Sequence, residues 1–261
     1  IADRYLRPSL GIVDPVNTID LPTEVAIYTG LDVFCHAIES YTALPSTKRI
    51  KPTSPLLRPA YQGSNPVSDI WSLYAIETVV QALPKVLESN NDNEEARFAM
   101  LLASSAAGMG FGNAGVHLCH GMSYPVSSQV KKGNEFYKNV DHPLIPHGLS
   151  VIVNAPAVFE FTGVADPDRH ARIAGILQRA RGGESSSSAT YKDAGKWLAD
   201  EIRIFCQSIG VRMGLQQFGY TTSDIPSLVD GTIRQHRVTK ISPRPVERTD
   251  LEALFEKALI E

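Results

Sequence analysis

The spacing of apolar positions along the chain is mainly helical. An opening stretch carries the short apolar run Leu10-Gly11-Ile12-Val13, stopped by Asp14-Pro15, which reads as a strand and its exit turn. From Thr23 a 3.6-residue spacing sets in, with Ile27, Leu31, Phe34, Ile38 and Tyr41 on one stripe, and it predicts a helix. Thr23 suits its N-cap and Glu24 its first turn. Residues 42–67 then turn rich in Pro, Ser, Lys and Arg and predict a long surface loop bordering a site. Helices follow at about 66–89 and about 92–112. Between Phe98 and Val116 there is no charge, and Ala, Gly and Ser dominate. That stretch is too polar to span a membrane and predicts a central buried helix whose small residues let neighbours approach closely.

A shorter helical segment is predicted within 112–125, then a polar loop at 131–140 that contains Lys131, Lys132 and Lys138. Pro146 suits the first position of a further helix, which places His147 in its first turn and leads into the apolar run 149–159. Amphipathic helices are predicted at about 167–181, 189–209, 224–236 and 248–260, separated by turn signals such as Arg181-Gly182-Gly183 and the serine tract 185–188. No internal repeat occurs. The class is therefore mainly all-α. The opening stretch, residues 1–22, reads as a residual strand and linker from an N-terminal domain, and 23–261 as one helical domain. A start at Ile1 without Met, with no signal-peptide or transit pattern, fits a fragment or a processed chain.

Composition narrows the function classes. With 261 residues, 43% hydrophobic and 20% charged, the chain is long enough for a substantial core. A formal charge of −3 with both signs scattered argues against nucleic acid and against a membrane surface as partners. The three cysteines, Cys35, Cys119 and Cys206, form no C-x-x-C pair and read as buried thiols in a reducing compartment.

Candidate chemistry begins with Asp32 and His36, four residues apart on the first helix. At that spacing both side chains lie on one face and can reach one divalent ion, although a surface hydrogen bond or ion pair has the same spacing. Five of the seven histidines lie between 32 and 147, each interesting one on a helix or at a helix start. Asp32, His36, His120 and His147 are the candidate ligand set, an O/N donor group that suits Zn²⁺ or Fe²⁺. Each His taken alone is as readily a structural residue.

At these residues the chain resembles the second domain of the iron-containing alcohol dehydrogenases. The resemblance rests on Asp14-Pro15, Gly30-Leu31-Asp32-x-x-x-His36-Ala37-Ile38-Glu39, Ala60-Tyr61-Gln62-Gly63-Ser64-Asn65-Pro66, Gly112-Asn113-Ala114-Gly115-Val116-His117-Leu118-Cys119-His120-Gly121-Met122-Ser123-Tyr124-Pro125, Pro146-His147-Gly148 and Val238-Thr239-Lys240. It implies the helical metal-binding domain of the dehydroquinate synthase-like fold, with metal and substrate in a cleft against an N-terminal dinucleotide-binding α/β domain. That α/β domain and its Gly-Gly-Gly-Ser phosphate loop are absent from the chain, so the main NAD(H) site is expected outside it. Asp32, His36, His120 and His147 become metal ligands by this resemblance, for Fe²⁺ or Zn²⁺.

Many family members carry a His four residues after the one matched to His120, where this chain has Tyr124. Tyr124 is a candidate proton relay, with His117 and His142 as substitutes. Within the family the nearest likeness is to the branch that passes hydride from a hydroxyacid to an oxoacid through a retained nicotinamide. This implies 4-hydroxybutyrate plus 2-oxoglutarate going to succinate semialdehyde plus 2-hydroxyglutarate, and a mitochondrial location. Arg49, Lys131 and Lys132 are candidate partners for the substrate carboxylates. An ordinary NAD(P)-dependent iron alcohol dehydrogenase and a non-catalytic helical metal- or partner-binding module remain the alternatives, and a homodimer stays open.

Overall fold

The computed structural model describes residues 9–88, 93–131, 136–137, 140–183 and 193–260. Lys132, Lys138 and the serine tract 185–188 lie outside the described residues. Eleven helices are described: α1 (Thr23–Thr42), α2 (Pro66–Glu88), α3 (Glu94–Ala114), α4 (Leu118–Ser128), α5 (His147–Ile152), α6 (Ala155–Gly163), α7 (Pro167–Ala180), α8 (Ala194–Ser208), α9 (Ile225–Ile233), α10 (His236–Thr239) and α11 (Arg248–Leu259). Among the described residues the sole β-type pairing is an isolated bridge between Pro45 and Ser64. No helix there is long and apolar enough to cross a membrane.

The helix starts follow from local chemistry. Asn65 accepts from the Ser68 backbone N–H at 3.1 Å ahead of α2, Asn93 from Ala96 at 2.9 Å ahead of α3, and Asp166 from Arg169 at 3.4 Å ahead of α7. Each satisfies a donor that the first turn cannot pair internally. The start of α1 differs from expectation: Pro22 occupies the N-cap and Thr23 is the first helical residue. The expected strand at 10–13 takes no regular structure, and Leu10 and Ile12 are largely exposed. A strand needs a hydrogen-bonded neighbour, and none is described there. Asp14 instead caps a 3-10 turn at Pro15–Thr18.

The central element is α1, packed against α2, α3, α4, α5 and α7. Its last six residues, from Ala37 to Thr42, are all buried, as expected of a helix enclosed on every side. The uncharged stretch 98–116 was expected to be the central buried helix, and here the structure corrects the sequence reading. One face of α3, with Ala103, Ala106, Ala107 and Gly110, is buried, while Phe98, Leu102 and Met109 are exposed. Lack of charge marked the close-packed face and did not require burial all round. On the packed face Gly110 sits against the Ser72 and Ser40 hydroxyls, which bond each other at 2.8 Å.

Two glycine contacts set the geometry of neighbouring elements. A Cβ at Gly163 would lie 2.3 Å from the Cα of Gly195, so α6 and α8 cross backbone to backbone. A Cβ at Gly148 would lie 1.8 Å from the Tyr28 carbonyl oxygen and 3.0 Å from the Asp32 Cβ, so α5 docks directly on α1. Arg169 of α7 braces the opposite side of α1, bonding both Asp69 carboxylate oxygens at 2.7–2.8 Å and the Tyr41 carbonyl at 2.7 Å.

Gly148→Ala is expected to force α5 away from α1 at a cost of about 1–3 kcal/mol. Gly108→Ala, whose Cβ would meet nothing within 4 Å, is expected to be neutral or to stabilise α3 by up to about 1 kcal/mol. Equilibrium urea unfolding of the two variants beside the parent protein measures both effects, and equal stabilities would contradict the docking argument.

Candidate metal centre

Three elements bring side chains to one point. α1 presents Asp32 and, one turn on, His36, whose Nδ1 is 3.7 Å from Asp32 Oδ1. α4 presents His120, with Nε2 3.3 Å from that same oxygen. His147, the first residue of α5, places its Nε2 3.7 Å from it. Ligand atoms of Asp32, His120 and His147 lie within 4.8 Å of one another, and no other such group is found among the described residues. Tetrahedral coordination at bond lengths of about 2.0–2.2 Å sets neighbouring ligand atoms about 3.4 Å apart, close to the separations of 3.3 and 3.7 Å seen here. Asp32 Oδ1 and His120 Nε2 are buried and lack any hydrogen-bond partner. Orphaned polar atoms of this kind are costly, and a cation between them would satisfy both. The donor set therefore fits a divalent ion. His36 lies beside the cluster, its ring stacked on Phe111 at 4.1 Å and tilted against His120 at 4.4 Å.

Behind His120 stands Glu39, wholly buried on α1. Its Oε1 accepts the backbone N–H groups of His117 at 3.0 Å, Cys119 at 2.8 Å and His120 at 3.3 Å. Its Oε2 is hydrogen-bonded to His120 Nδ1. One carboxylate thus closes the start of α4 and occupies the far nitrogen of the imidazole, leaving Nε2 to face Asp32. A carboxylate–histidine pair of this kind fixes the ring and its tautomer for ligation. Residue type alone assigns Glu39 no role. A signal was present: Asp32, His36 and Glu39 recur at the i, i+4, i+7 spacing of one helical face, and an acid on an apolar stripe requires a partner.

The charges are tightly coupled. Burial would raise the Glu39 carboxyl, but the charge and hydrogen bond of His120, with His117 adding, hold it down to about 2. Burial would lower His120, but Glu39 and Asp32 together push it up to about 9. Burial would also raise Asp32, and the surrounding imidazoles, His120 foremost, keep it below the usual carboxylate range. His36 is pushed down to about 4 by burial and by the neighbouring His120, and His147 is lowered by burial.

The other residues singled out in the sequence are spread around this centre. His117 is fully buried, and its Nε2 pairs with the Thr42 hydroxyl at 3.0 Å. Since that hydroxyl donates to the Ile38 carbonyl at 2.8 Å, it accepts from Nε2–H, an assignment made from the network. His117 is therefore enclosed beside Glu39, its Nδ1 3.5 Å from Oε1. Tyr124 is half-buried one turn beyond His120 on α4 and accepts from Arg237 at 3.4 Å. Lys131 pairs with Asp224, and Lys132 lies outside the described residues. Arg49 lines a separate cavity of about 720 Å³ with Lys48, His236 and Lys240. Cys35, Cys119 and Cys206 are buried free thiols, as expected.

Residues 60–259 match the model of the Fe-containing alcohol dehydrogenase family, C-terminal part. The chain is 52% identical over 260 residues to a protein of Xenopus laevis named hydroxyacid-oxoacid transhydrogenase, mitochondrial, an alignment covering 99% of this chain and 55% of that one. It is 50% identical over 260 residues to the human protein of the same name, covering 54% of it. The chain thus spans about half the length of these relatives. Its structure is similar to that of the iron containing alcohol dehydrogenase from Thermococcus thioreducens, with a TM-score of 0.72, 26% identity, and coverage of 99% of this chain and 56% of the other. The helical architecture, the clustered carboxylate and imidazoles and the family match over most of its length agree: the chain belongs to the Fe-containing alcohol dehydrogenase family.

Proposed function

We propose that this chain is the metal- and substrate-binding part of a mitochondrial hydroxyacid-oxoacid transhydrogenase. The reaction is 4-hydroxybutyrate plus 2-oxoglutarate giving succinate semialdehyde plus 2-hydroxyglutarate. The observation that carries this reading is the convergence of the orphaned Asp32 Oδ1 and His120 Nε2 beside His147. Its further support is the identity of 50–52% to proteins of that name.

In this reading Asp32, His120 and His147 hold Fe²⁺ or Zn²⁺, with His36 as the fourth ligand one turn from Asp32. A divalent ion held by these residues would supply Lewis acidity toward a substrate hydroxyl and so favour loss of hydride from the carbinol carbon. A nicotinamide held mainly by a domain outside this chain supplies the hydride carrier. The remaining tasks belong to this chain's own residues. Glu39 keeps the proton on His120 Nδ1, so that the proton given up on ligation is the one on Nε2. Asp32 and His147 present their ligand atoms beside His120 Nε2, and His36 would join as the fourth ligand from one turn along α1. Tyr124, on the face of α4 that carries His120, keeps its phenolic proton because burial raises it above its ordinary value. In this reading its hydroxyl passes a proton to or from the substrate oxygen.

Three outcomes test this. In the full-length protein, an Asp32→Ala, His120→Ala double variant is expected to lose the divalent metal found in the parent by elemental analysis. His142→Ala, at an exposed residue paired with Asp141, is expected to retain it, and equal metal in all three would overturn the ligand assignment.

Metal affinity also carries a pH signature. His120 is held near 9 in the metal-free site, so ligation must displace its Nε2 proton. Affinity should rise about tenfold per pH unit up to that value and then level. Glu39→Gln is expected to weaken binding by about 10–100-fold and to move the levelling point to lower pH. A competition titration with a chelating dye at several pH values reads both.

Turnover of 4-hydroxybutyrate against 2-oxoglutarate is expected with no added nicotinamide. Strict dependence on added NAD would instead mark an ordinary dehydrogenase, and metal without turnover a binding module.

A further inference from the structure

Arg237 is a guanidinium with no ion-pair partner among the described residues, and it reaches a residue of α4, the helix that carries His120. It is exposed on α10, and α10 lies against α4 where Gly121 leaves room: a Cβ there would stand 3.2 Å from Val238 Cγ2. Gly121 follows His120 directly, so α10 is seated beside the ligand-bearing turn. From there Arg237 Nη2 donates to the Tyr124 hydroxyl at 3.4 Å, and the guanidinium lies 5.1 Å from the centre of the Tyr61 ring.

Both tyrosines belong to the same neighbourhood. Tyr124 is one turn from His120 on the same face of α4. Tyr61 packs on Gly115, whose φ of +100° turns the chain toward α4 and whose Cβ would meet the ring at 2.7 Å. Burial raises both hydroxyls, and the charge of Glu39 reaches both of them. The phenols are therefore neutral, and neither cancels the guanidinium charge.

Several of the other cations are already engaged. Arg169, Arg181 and Arg248 pair with Asp69, Glu201 and Asp230, and Lys131 pairs with Asp224. Among the described residues Arg237 has no such partner. It has five donors in a planar fork, and only the weak bond to Tyr124 uses one. A planar fork held over an aromatic ring and open to solvent is the arrangement that binds a carboxylate through two parallel hydrogen bonds.

We propose that Arg237, seated on Tyr61 and next to Tyr124, anchors the remote carboxylate of the substrate and so selects hydroxyacids and oxoacids over uncharged alcohols. This rests on the reading of the chain as part of a hydroxyacid-oxoacid transhydrogenase. It moves the anchor from the loop cations Arg49, Lys131 and Lys132, expected from sequence, to α10.

The test uses the full-length holoenzyme with Arg237→Met, Arg237→Lys and Lys131→Met, and glutarate as a dicarboxylate that cannot exchange hydride. In calorimetry, glutarate binding is expected to weaken about 10–100-fold in Arg237→Met, partly recover in Arg237→Lys, and stay at the parent level in Lys131→Met. The KM for 4-hydroxybutyrate should rise by a similar factor in Arg237→Met, with that for 1-butanol and the metal content unchanged. Parent-level glutarate binding in Arg237→Met, no glutarate binding by the parent, or an equal rise in KM for 1-butanol would each overturn the proposal. If glutarate binding depends on Arg237 while hydride exchange between the two acids is absent, the anchor stands and the proposed reaction falls.

Discussion

A carboxylate buried in the middle of a helix bundle governs the arrangement of this site. Removing Glu39 from water is tolerable only because its oxygens are met by three backbone N–H groups and an imidazole. Taking away one member of such a buried group typically costs about 3–5 kcal/mol. The three N–H groups lie at the start of α4, where the helix dipole also favours a negative charge. Satisfying one residue of α1 therefore fixes where α4 begins, which way the His120 ring faces, and how far its Nε2 stands from Asp32.

The other joints of the site are steric. Gly148 brings His147 within reach because its missing side chain is replaced by the Tyr28 carbonyl, and Gly121 lets α10 approach the turn that carries His120. Electrostatics thus orients the inner ligand, and close backbone packing positions the outer one. The two kinds of constraint meet on α1, which supplies Asp32, Glu39 and the Tyr28 carbonyl.

Much of this was legible in the sequence. The spacing from Ile27 to Tyr41 marked α1, the helix expected at about 92–112 is α3, and Pro146, expected as the first helical residue, is the N-cap of α5 with His147 in its first turn. Where residue type and spacing act locally, periodicity suffices. It failed for 10–13, because strand formation depends on a partner that sequence spacing does not report, and for 98–116, because small uncharged residues suit both a packed face and an exposed one. At the site, Asp32, His120 and His147 were legible from residue type and from resemblance. The contacts of Glu39 with α4 and of Arg237 with Tyr124 were not, since each joins helices far apart in the chain. The nearness of His36 to Asp32 was legible too, but its stacking on Phe111 required the folded packing.

The ligand residues differ in how firmly they are held. His120 is almost wholly enclosed, whereas the His147 side chain is 46% exposed and stands at the head of a six-residue helix. The candidate centre thus has an enclosed floor and one solvent-facing rim. A cation held there would be gripped mainly from the enclosed side and would enter past the residue that faces solvent, so substitutions near α5 would bear on filling more than on grip.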